Sequence, residues 1–129
     1  MPEGTEIKDI IPHFEAYANL HDHTKYHNNY YYNKSILLVN LAEHLDNGFA
    51  LLQENTALSS PISMIYYEYY QDIEQLKTIL NPLKDKIQCV VTKINELAGG
   101  IPFGKAQKPE LWDYADNIDT MRFLLNLNN

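Results

Sequence analysis

The chain has 129 residues, 45% of them apolar, and a formal charge of −7. That length suits one domain or a fragment spanning 1–129, and the negative balance argues against nucleic acid, which is held mainly through Lys and Arg. No apolar run approaches the ~20 residues that span a bilayer, and the acidic start from Met1 to Glu6 lacks the apolar stretch of a secretory signal, so a cytoplasmic location is expected.

The first segment places Ile7, Ile10, Ile11, Phe14, Tyr17, Ala18 and His21 three or four apart, the spacing of one helical face. Thr5 is a candidate N-cap, and Pro12 predicts a kink or restart because it removes a hydrogen bond. Residues 21–35, rich in His, Asn and Tyr, show no clear period. From Ser35 to Leu45 the positions Leu37, Leu38, Leu41, Ala42 and Leu45 predict helix. Asp46-Asn47-Gly48 stops it, with Gly48 suited to the left-handed conformation past a helix end.

Phe49–Gln53 reads as a short strand, and Glu54–Pro61 as a loop. Ile62–Tyr70, aromatic and β-branched, reads as a second strand. Asp72 with Gln75 three residues on is a capping arrangement for a helix carrying Ile73, Leu76, Ile79, Leu80 and Leu83, which Asn81-Pro82 should end or bend. Ile87–Thr92 reads as a third strand. Residues 62–92 then form a strand–helix–strand unit, expected as a right-handed parallel crossover. Pro109 suits the first turn of a short helix through Glu110, Leu111, Trp112 and Tyr114. Asp119 or Thr120 would cap a last helix with Met121, Phe123, Leu124, Leu125 and Leu127. The fold class expected is α/β, a sheet with this crossover flanked by helices.

Few residues suggest chemistry. His21-Asp22-His23 with His27 contains metal-ligand types, but the spacing completes no known signature; a metal site and a polar surface segment both remain open. The turn Tyr70-Gln71-Asp72 lacks the glycine of a phosphate-binding turn, and Asp72 would repel an anion. Cys89, the one cysteine, excludes an internal disulfide and, within Ile87-Gln88-Cys89-Val90-Val91, reads as a small core hydrophobe. Ser59, Ser60 and Ser63 lie outside any nucleophile elbow. The tyrosines at 30–32 and at 66, 67, 69 and 70 lack the basic groove of a single-strand binder.

Several separated blocks, in order, resemble the Bacteroidetes branch of the LuxC-like acyl-CoA reductases, within the aldehyde dehydrogenase superfamily. They are Tyr32-Asn33-Lys34-Ser35-Ile36 with Leu38-Val39-Asn40; His44 through Phe49; Ser60-Pro61-Ile62-Ser63 running into Tyr66–Tyr70; Ile87–Val91; and Phe103-Gly104-Lys105-Ala106-Gln107 with Asp113–Asp116 and Asp119-Thr120-Met121. The likeness runs from about Pro2 to Leu127. It implies an oxidoreductase with two α/β domains, one binding NADPH and one carrying a catalytic cysteine, that reduces a long-chain acyl thioester such as acyl-CoA to an aldehyde. The chain would be the last part of an aldehyde-dehydrogenase-like catalytic domain. The family's nucleophile lies upstream of the segment resembling Pro2-Glu3-Gly4, and Cys89 does not match it.

On this resemblance the isolated chain has no catalytic residue and no cofactor, and is inactive alone. Ser59–Ile62 resembles the loop that sets a glutamate on the nicotinamide ribose, with Ala57 at the glutamate's position. Pro102-Phe103-Gly104 resembles the loop lining the substrate tunnel, which makes Phe103 and Gly104 the candidate substrate-binding residues; a loop aromatic plugging the core edge is the plainer reading of Phe103. Two rivals stand beside this: an α/β interaction module using its Tyr-rich strand, and a metal protein using His21, His23 and His27. Strands severed from their partners would leave open edges that invite self-association.

Overall fold

A computed structural model describes residues 1–94, 97, 100–111, 113–114 and 118–127. The chain forms two compact units, Met1–Gln71 and Asp72–Asn129. Its general class is α/β, with helices and two small sheets.

In the first unit the expected helix over the opening segment forms as two 3-10 helices, Ile7–Asp9 and Ile11–Asp22. The break falls where Pro12 enters the first turn of the second helix, because proline supplies no N–H to continue the ladder. Thr5 does not cap: Glu6 flanks the helix, without a side-chain cap bond. The apolar face is not buried either, and Tyr17 and Leu20 are exposed.

Helix α1, Thr24–Val39, takes in the segment that has no apolar period. Its inner face is Tyr30, Asn33 and Leu37, all buried, and two of these are polar. The sequence expectation of a helix over 35–45 is therefore corrected at both ends. The stop lies at Asn40–Leu41, where the Leu41 N–H donates to Leu38 O at 3.2 Å and the Ala42 N–H reaches back to Leu37 O at 2.9 Å. With Leu41 at φ 51°, this is a Schellman motif, and Ala42 packs on the cluster that holds Leu37.

The chain then forms a hairpin, β1 (Leu45–Asp46) against β2 (Leu51–Glu54), with Leu45 opposite Leu52. Gly48 is left-handed at φ 95°, as the residue type predicts, but it serves this strand connection and not a helix end. The Asn47 side chain accepts from the N–H groups of Phe49 and Ala50. The third strand, β3 (Met64–Tyr67), lies parallel to β2 with Leu51 opposite Met64, in sheet order β1-β2-β3. Leu51 and Leu52 are completely buried, and Tyr30, Leu37, Leu51 and Met64 form the core cluster.

In the second unit Asp72 caps helix α2 (Ile73–Leu80), accepting from the Gln75 N–H at 2.8 Å. At Asn81-Pro82 the helix tightens into a 3-10 turn, Asn81–Lys86. Strand β4 (Val90–Val91) pairs in parallel with β5 (Gly100–Ile101). The expected crossover over 62–92 is not formed, since β3 and β4 belong to different sheets. The edge of β3 is taken instead by the Leu51-Leu52 pair, which buries fully there, and the parallel pairing is made through the loop 55–63. The short helix after Pro109 is replaced by a turn, in which the Asp113 N–H donates to Glu110 O at 3.1 Å and the Asp113 side chain accepts from the Glu110 N–H at 2.8 Å; Trp112 lies outside the described residues. Helix α3 (Thr120–Asn126) begins where Asp119 accepts from the Arg122 N–H at 3.0 Å.

Leu41 is 90% exposed yet holds a backbone conformation that costs a side-chain-bearing residue roughly 1–2 kcal/mol. Leu41→Gly is expected to raise the stability by about 0.5–1 kcal/mol, after allowing for glycine's freer unfolded state. Leu51→Ala should cost about 3 kcal/mol. Urea denaturation of both variants checks the pair.

Candidate functional site

The turn at Pro102 forms as its residues demand. The Lys105 N–H donates to Pro102 O at 3.1 Å, and Gly104 sits at φ 79°, the left-handed position that a tight turn of this kind reserves for glycine. The Phe103 ring is 64% exposed, with Lys93 Nζ 5.6 Å from its centroid. It does not plug a core. An exposed aromatic with a cation over its face keeps one apolar surface open to a partner.

Cys89 is exposed, which overturns its reading as a core hydrophobe. Only Val90 and Val91 of its run are paired as strand, and Ile87 and Val90 supply the partly buried side chains while Gln88 and Cys89 face outward. The thiol lines an open cleft of ≈ 610 Å³, together with Ile101, Pro102, Lys105, Lys108 and Tyr114. No histidine lines that cleft among the described residues, so the thiol has no imidazole base of the usual kind.

The histidines are brought together only in part. His23 acts as the cap of α1, its Nδ1 accepting from the Tyr26 N–H at 3.4 Å. His21 and His27 meet edge to face at 4.4 Å between ring centroids, and His27 meets Tyr31 at 4.6 Å. Among the described residues no three His, Cys, Asp or Glu converge to hold a metal ion.

The strongest polar constellation escaped the sequence reading. Tyr30 Oη donates to Asp46 Oδ1 at 2.7 Å, Lys34 Nζ lies 2.6 Å from Asp46 Oδ2, and the Gly48 N–H donates to Asp46 Oδ1 at 2.8 Å. Burial alone would raise the Asp46 carboxyl. The hydrogen bonds from Lys34, Tyr30 and the Gly48 N–H outweigh it and hold the carboxyl below its ordinary 3.8. Burial first, and then the Asp46 hydrogen bond, push the Tyr30 phenol above 10.0. The bond to Asp46, helped by Tyr30, raises Lys34 above 10.5. The phenol, only 2% exposed, donates to the carboxylate. This group ties α1 to the hairpin. The signal available in the sequence was Tyr30 and Lys34 four apart, which share a face if the segment is helical.

The loop before β3 is fixed by polar side chains. Asn33 Nδ2 donates to Ile62 O at 2.9 Å, and Ser60 Oγ donates to Met64 O at 2.7 Å. Ser63 sits at φ 71°, buried, with its Oγ bonded to Ile62 O.

No family model, no curated protein and no solved structure matches this chain.

The residues present do not fit NADPH. Ala57, which only the resemblance aligns with a ribose-binding glutamate, carries a methyl group, and its N–H closes a turn on Asn55 Oδ1 at 2.9 Å. The start of α2 is already filled by the Asp72 carboxylate, which repels a pyrophosphate.

The clamp makes a pH prediction. A lowered Asp46 contributes stability that is present above pH 3.8 and lost as pH falls through its folded value. Raised Lys34 and Tyr30 contribute stability that is present below about pH 10 and lost as pH rises above it. Asp46→Ala should cost about 1–2 kcal/mol at pH 7, given a partly exposed pair. It should also flatten the loss of stability as pH falls below 3.8, measured by urea denaturation across pH.

Proposed function

We propose that this chain is the C-terminal part of an NADPH-dependent long-chain acyl-CoA reductase, which turns an acyl thioester into an aldehyde, and that it is inactive alone. The observation that carries this reading is the ordered series of blocks between Pro2 and Leu127 that resemble that family. The nucleophilic cysteine and the cofactor site belong, on this reading, to the remainder of the enzyme, and Cys89 is not the nucleophile. Phe103 and Gly104 belong to the wall of the acyl tunnel, where an exposed ring on a tight turn gives a long alkyl chain a surface to lie on.

Apolar surface left without cover supports the same reading. Tyr32, Leu38 and Val39 of α1 and Met121, Phe123, Leu124 and Leu125 of α3 are exposed, and exposed apolar side chains of this kind are available to a covering surface. A module that pairs through its Tyr-rich strand is the second reading, favoured by the terminal position of β3 in its sheet.

The upstream codons separate the two. We expect an open frame there that encodes a cysteine, and a longer product that reduces acyl-CoA with NADPH while the present chain gives no turnover above background. A stop codon immediately upstream, or turnover by the present chain, overturns the reading. In the longer enzyme, Phe103→Ala should weaken kcat/KM for long acyl thioesters about tenfold more than for short ones, the loss of one contact of roughly 1.4 kcal/mol.

A further inference from the structure

One cleft in the second unit has a wall built from consecutive turns. The Lys105 N–H donates to Pro102 O at 3.1 Å, the Lys108 N–H to Lys105 O at 2.8 Å, and the Asp113 N–H to Glu110 O at 3.1 Å. Each bond joins residues three apart, the closure of a β-turn, which brings the first and last Cα atoms within about 7 Å. One turn therefore carries an ammonium at each end, on Lys105 and Lys108. The next carries a carboxylate at each end, on Glu110 and Asp113. Pro109 joins the two turns, its φ fixed by the ring. All four charged residues line the cleft of ≈ 610 Å³.

These charges are not spent on one another. Among the described residues none of the four forms an ion pair. The Asp113 carboxylate accepts from the Glu110 N–H at 2.8 Å, which fixes its side chain in the turn and leaves it charged. Two ammoniums rising from the ends of one turn repel each other, as do two carboxylates, and an opposite charge between the members relieves each pair. The rest of the lining is neutral. Ile101 of β5, Pro102 and Tyr114 supply apolar surface, and Cys89 comes from the run before β4. An apolar lining with a few charged groups, at a volume in the range of ~300–1,000 Å³, is the form of a small-molecule site.

We infer that this cleft binds a small zwitterion with an apolar body, of the class of a free dipeptide. Its carboxylate sits between Lys105 and Lys108, its ammonium between Glu110 and Asp113, and its side chains on Ile101, Pro102 and Tyr114. A simple anion is drawn to the lysines but meets the carboxylates of the neighbouring turn, and a simple cation meets the reverse. A ligand that carries both charges satisfies both turns and is selected over either. Phe103 and Gly104 are not among the residues that line the cleft, so the inference does not rest on the acyl-tunnel reading.

Cys89 is the one cysteine and reports occupancy of the cleft that it lines. Its alkylation in the full chain by iodoacetamide, an uncharged reagent, is followed with leucyl-leucine, the N-acetyl form and the C-terminal amide as competing probes. Leucyl-leucine at about ten times its dissociation constant should slow labelling about tenfold. Capping either end should weaken binding at least ~10-fold, the loss of one charged contact. Lys105→Ala with Lys108→Ala should erase the discrimination against the amide, and Glu110→Gln should reduce that against the N-acetyl form. Each variant keeps the other discrimination, which a misfolded chain cannot reproduce, and the unmutated series decides the matter by itself. No slowing by leucyl-leucine up to roughly 10 mM overturns the inference. Equal protection by the N-acetyl form, which marks an anion site, or by the amide, which marks a cation site, overturns it too.

Discussion

The first unit depends on a single carboxylate. Asp46 ends a two-residue strand, and its two oxygens take a phenol, an ammonium and a backbone N–H. The phenol and the ammonium come from one face of α1 and the N–H from the hairpin turn. The bonds therefore join the helix to the sheet at the point where the chain reverses. A strand pair this short has little stability of its own. Its position is held by the polar clamp on one side and by Leu51 on the other, and Tyr30 takes part in both, with its ring in the core cluster and its hydroxyl on Asp46.

The remaining polar contacts work by the same logic. Asn33 is buried in the middle of α1, and its amide donates to the carbonyl of Ile62, so the loop before β3 is tied to the helix and not only to the strand. Ser63 holds a left-handed backbone that a serine adopts at a cost, and Ser60 and Asn33 bond the carbonyls on either side of it. A buried polar group without a partner is expensive. Here the partners are loop carbonyls, and the loop acquires a fixed path as a result.

Chemically the chain is spare. Cys89 is exposed and lines a cleft that has no histidine among the described residues, His21 and His27 meet ring to ring while His23 caps α1, and the Asp46 carboxylate is held in the clamp.

Features decided by near neighbours in the chain were legible without coordinates. Asp72 and Asp119 cap their helices, Pro12 interrupts the first segment, Asn81-Pro82 ends α2, and Phe49–Gln53 and Ile62–Tyr70 contain strands. The caps rest on a side chain reaching a backbone group within a few residues, the breaks on steric limits that proline carries everywhere, and the strands on local aromatic and β-branched composition. Tertiary structure alone decided the rest. Helix α1 buries Tyr30 and Asn33, so an apolar period could not reveal it; their partners, Asp46 and Ile62, lie far along the chain. Leu41 and Leu45 share the helical spacing, yet a backbone reversal at Leu41 sends Leu45 into a strand. The pairing of β3 with β2 buries Leu51 and Leu52 completely, a contact between segments that local spacing does not encode.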